Sequence, residues 1–60
     1  MDLGRTAGKA EAILAVLRVR GIDLDAEAVA RITGETDLGR LETWLVKAVT
    51  AQTLREVFEP

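Results

Sequence analysis

Cysteine, histidine, tyrosine, serine and asparagine are all missing from this chain of 60 residues. Without cysteine there can be no disulfide and no thiolate metal site, so packing alone must hold the fold, and a reducing compartment suits it. The other absences remove most of the side chains that serve as nucleophiles or as proton carriers near neutral pH, and an enzyme is not expected. An excess of either charge is lacking too. Eight basic residues face ten acidic ones, a net charge of −2, so the chain has no electrostatic surplus for direct contact with nucleic acid. Long apolar runs are equally scarce. The longest, Ala12 to Leu17, falls far short of the roughly 20 residues needed to span a bilayer, and no charged-then-apolar leader follows Met1. A cytoplasmic location without membrane contact is therefore expected.

What is present favours one compact helical unit. The chain is 48% hydrophobic and 30% charged, too apolar for a disordered tail, and its length leaves room for one small core. Helical periodicity dominates from Lys9 onward, broken by glycines and by Asp and Thr positions. The first helix is expected from about Ala7 to Arg20, ending at Gly21 in a left-handed conformation, with Ile22 folding back on Leu17. Arg18 and Arg20 would sit in its last turn, where the helix dipole favours cations. A second, short helix should open on Asp25 as N-cap, with Leu24 stapled onto Val29, and stop at Gly34. A third, capped by Thr36 or Asp37, should reach about Val49, and Thr53 with Glu56 spells a capping box for a final turn or two. The expected architecture is all-α: three helices plus a short C-terminal one, with residues 1–8 as a frayed or flexible segment and 9–60 as a single dimerisation domain.

The first and third helices carry different patterns. In the third, Leu38, Leu41, Trp44, Leu45, Ala48 and Val49 form one stripe, while Arg40, Glu42, Thr43 and Lys47 lie outside it, as in a helix buried on one side. In the first, Ala10, Ile13, Leu14 and Leu17 make a front face, but Ala12, Ala15, Val16 and Val19 make a second apolar face behind it. Lys9, Glu11, Arg18 and Arg20 are confined to the flanks. A helix apolar on two sides is normally covered on both. Ala12, Ala15, Val16 and Val19 are therefore expected to meet a second copy of the chain in a homodimer, small alanines allowing close approach. Simple surface exposure of such residues is the alternative. Trp44, at the edge of its stripe, is either a core residue or a hot spot for a partner.

Candidate chemistry is thin. Asp23 and Asp25 form an Asp-x-Asp pair, but no further acidic positions complete a calcium loop, and turn and capping roles account for both. Gly4 and Gly8 have neither the preceding strand nor the following Lys-Ser/Thr of a phosphate loop. No cofactor, metal or catalytic residue is expected.

Order and spacing of several segments point further. Lys9-Ala-Glu-Ala-Ile-Leu, the Arg18 to Ile22 stop, Arg31-Ile-Thr, Thr36-Asp-Leu, Leu41-Glu-Thr-Trp-Leu, Lys47-Ala-Val-Thr and Leu54-Arg-Glu-Val-Phe follow one another through most of the chain. In that order they resemble the C-terminal region of bacterial Rpn proteins, the recombination-promoting, transposase-like nucleases of the PD-(D/E)XK superfamily. Gly4 and Gly8 are similar to the end of the four-residue repeats that often precede this region, whereas Glu35 and Gly39 depart from its pattern. The resemblance implies that the catalytic domain of such nucleases lies outside these residues. It also implies a role as an antitoxin-like partner and inhibitor of a longer Rpn-type nuclease sharing the region, of the kind translated from an internal start. The alternative is an oligomerisation module of a larger protein with no separate function.

Overall fold

A computed structural model describes residues 3–59, and among these the order of elements is α1 (Leu3–Val19), α2 (Ala26–Thr33), α3 (Leu38–Thr50) and α4 (Leu54–Phe58), with no strand. The all-helical bundle is as the periodicity requires. One boundary differs: α1 begins at Leu3 rather than near Ala7, so residues 3–8, expected as a frayed segment, continue the helix. Residues 1 and 2 of that expected segment lie outside the described residues.

The end of α1 is specified by two hydrogen bonds. Ile22 N–H donates to Leu17 O at 2.9 Å and Gly21 N–H to Arg18 O at 3.0 Å, the pairing of a Schellman motif, with Gly21 at φ 76°. A Cβ at Gly21 would meet nothing within 4 Å, so only the left-handed backbone demands glycine there. Gly21→Ala is expected to lower stability by about 1 kcal/mol, read as a drop of ~5 °C in thermal midpoint. An unchanged midpoint would mean that the turn does not hold this conformation. Gly34 works differently. Its φ is −86°, but a Cβ would stand 2.9 Å from Ala30 O, so closeness of the backbone rather than handedness excludes a side chain.

Caps open the next two helices. Asp25 accepts from Ala28 N–H at 2.7 Å, and Asp37, rather than Thr36, accepts from Arg40 N–H at 3.3 Å. Glu35 orders the turn between them, its carboxylate accepting from the N–H groups of Thr36 and Asp37 and from Arg40 Nη1. The capping box expected at Thr53 does not form. The Thr53 side chain makes no cap bond, and Glu56 reaches one residue further back to the N–H of Gln52 at 3.2 Å.

One cluster forms the core. α1 and α3 make the principal pairing, α2 packs on α1, and α4 packs on α3. Ile13, Leu17, Ile32, Leu41 and Val57 are fully enclosed, which gives each helix at least one anchor in a shared interior. Such anchoring matters most for α2 and α4, because helices of 8 and 5 residues do not persist alone in water.

Candidate functional site

On α1, the front face of Ala10, Ile13, Leu14 and Leu17 is buried as the pattern requires. The expected second face is divided. Ala15 is exposed and Val19 is 88% exposed, but Ala12 is half-buried, and Val16 is half-buried against the chain's own core. Val16 lies only about 60° around the helix from Ile13, so core packing from that flank reaches it. The fully open strip of α1 therefore runs through Gly4, Gly8, Ala15 and Val19, with Glu11 beside it.

α3 extends this open surface. Leu45 joins Gly4, Arg5, Gly8, Lys9 and Ala12 in lining a shallow groove between the two helices. One turn beyond Leu45, Val49 is 57% exposed, although the sequence stripe placed it inward, and neighbouring Val46 is 70% exposed. The stripe is wider than the surface the rest of the chain covers: Val49 sits about 100° around α3 from the enclosed Ala48. The two glycines add a second feature. A Cβ at Gly4 or at Gly8 would meet nothing within 4 Å, yet each glycine inside a helix costs about 1 kcal/mol relative to alanine. No steric need for them arises among the described residues.

Trp44 belongs to the core, only 6% exposed, rather than standing out as an anchor. Its ring meets that of Phe58 edge to face, with centroids 5.0 Å apart. The guanidinium of Arg31, from α2, lies 4.3 Å from the Phe58 centroid and 5.8 Å from that of Trp44. This cation–π contact ties α2 to α3 and α4. Beside it opens a cleft of about 460 Å³ lined by Arg31, Arg40, Lys47, Trp44 and Phe58, with Asp37 and Glu59 among its walls. Arg40 pairs with Glu35 at 3.3 Å, and Lys47 Nζ donates to the carbonyl of Glu59.

Arg20 also has an unforeseen partner. Rather than serving the end of its own helix, it donates through Nη1 to Ala48 O at 2.8 Å and to Ala51 O, closing the C-terminus of α3. Local periodicity reveals neither contact, since the Arg20 bonds span 28 and 31 residues.

Asp25 is occupied as a cap and Asp23 is exposed; among the described residues no group of acidic side chains could hold a metal ion. No described helix is long and apolar enough to cross a membrane. Comparison with protein families, with curated proteins and with solved structures gives no match to this chain.

Proposed function

We propose that this chain is a helical protein–protein interaction domain whose partner is a second copy of itself, joined through the open surface that α1 and α3 share. One observation carries the reading: aliphatic side chains stay exposed on two helices that pack on each other, Val19 on α1 and Val49 with Val46 on α3, and the groove between those helices includes Gly4, Gly8 and Ala12, whose small size would let another helix approach closely, beside Arg5, Lys9 and Leu45. A twofold pairing places the same strip on both sides, and a chain this short gains proportionally from added burial. Ala12, Ala15 and Val19 remain the proposed contacts on α1, and Val16 contributes only its exposed fraction.

Sedimentation of the wild type beside Val19→Glu with Val49→Glu tests the pairing. These two positions are chosen because both side chains are exposed, whereas a carboxylate at Val16 would intrude on the core. The wild type is expected to sediment as a dimer and the double variant as a monomer with unchanged helical circular dichroism. A monomeric wild type, or a variant that still pairs, overturns the reading.

The resemblance to the C-terminal region of Rpn nucleases extends the proposal. Identical surfaces compete for one another, so the short chain would take the place of the matching region in a longer Rpn-type nuclease and inhibit it in the manner of an antitoxin. This extension rests on the order of the sequence motifs. Titrating the chain into a DNA-cleavage assay of such a nuclease should depress cutting; full cutting at excess chain rejects inhibition while leaving the homodimer standing.

A further inference from the structure

On the side of α3 away from Leu45 and Val49, the cleft beside Trp44 gathers Arg31, Arg40 and Lys47 in a chain whose net charge is −2. We propose that this cleft docks an acidic segment of a partner protein, its carboxylates received by those three side chains. Arg31 is the central receptor. Its cation rests on the rings of Phe58 and Trp44, which limits its rotamers, while among the described residues its guanidinium N–H groups have no acceptor. A guanidinium held in this way presents a fork that fits a carboxylate bidentately with little further ordering. Arg40 and Lys47 stand two turns apart on α3, about 10.5 Å along its axis, a spacing that acidic side chains two turns apart on a docking helix reproduce. Arg40 gives one nitrogen to Glu35, whose side chain is 16% exposed, while its own is 61% exposed and keeps further N–H groups open to a second carboxylate, as Lys47 does beyond its one bond to the Glu59 carbonyl.

Asp37 and Glu59 in the same cleft select among anions. They oppose the dense, regularly spaced charge of a phosphate chain but can alternate with carboxylates spaced along a peptide. The cleft and the proposed dimer surface occupy different sides of α3, so this inference stands or falls independently of self-pairing.

Trp44, the only tryptophan, lies in the cleft and reports on it. Titration of the whole chain with a short oligoglutamate peptide is expected to give a saturable change in tryptophan fluorescence that weakens as salt shortens the screening length. An oligolysine peptide should give none. Arg40→Gln with Lys47→Gln leaves the Arg31, Trp44 and Phe58 cluster in place and should raise Kd by roughly tenfold or more, with helix content unchanged. Absence of a saturable response to oligoglutamate overturns the proposal, as does a double variant that binds equally well. Equal binding of inorganic phosphate or of a DNA oligonucleotide would also overturn it, the first marking a small-anion site and the second a nucleic-acid surface.

Discussion

Leu41→Ala is expected to cost about 3 kcal/mol, enough to leave a domain of this size largely unfolded at room temperature. Leu41 is fully enclosed and stands on the helix that makes the principal pairing with α1. Removing its branched end leaves a void at the meeting of α1 and α3, and the one small cluster offers no second core to share the strain. Val46→Ala on the same helix supplies the contrast. That side chain is 70% exposed, so its truncation should change stability by no more than about 0.5 kcal/mol. Urea denaturation of both variants at one protein concentration separates the two sites and keeps any mass-action contribution from pairing fixed. Equal midpoints for Leu41→Ala and wild type would mean that α3 does not pack on α1 through this residue.

How much of this could be read from the chain follows from the range over which each feature is determined. The end of α1 depends on Arg18, Gly21, Ile22 and Leu17, all within one turn and a half, and its hydrogen bonds follow the residue pattern atom for atom. The same holds for Asp25 at the head of α2. Local reasoning fails where a residue has several acceptable partners nearby. Glu56 had the Thr53 box available and instead satisfies Gln52, one residue further back. Gly4 and Gly8 lower local helix propensity, which favours a late start for α1, yet the helix runs through both.

Legibility of the candidate surfaces divides in the same way. Val19 could be assigned to an open face because its angular position alone decides its exposure. Val16 and Val49 could not, since their burial depends on how wide a strip the neighbouring helices cover, and that width is a property of packing rather than of periodicity. Arg31 was invisible as a binding group because its partners, Trp44 and Phe58, sit on two other helices. A solitary cation on a short helix carries no mark of the rings it will cover.

Arg20 is the residue for which distant partners should matter most to stability. The last carbonyls of α3 have no N–H donors within the helix, and Lys47 O is satisfied locally by Ala51 N–H. Ala48 and Ala51 are themselves buried, so water is a poor substitute for the Nη1 of Arg20 at their carbonyls. Arg20→Met keeps an unbranched stem but removes every donor, and is expected to cost about 2 kcal/mol, a fall of roughly 10 °C in thermal midpoint. Two accounts of that loss can be told apart. If the cation acts only through the dipole of α3, the penalty should shrink as salt is raised, and Arg20→Lys should restore nearly all of it. If the donors themselves are what the carbonyls require, the penalty persists in high salt. Lysine then restores only part, because its ammonium sits on a flexible stem and lacks the fixed plane in which the Arg20 Nη1 holds its N–H groups toward the Ala48 and Ala51 carbonyls. The geometry favours the second account: one guanidinium nitrogen serves both oxygens, joining the exit of α3 to the loop after it and fixing both against the end of α1.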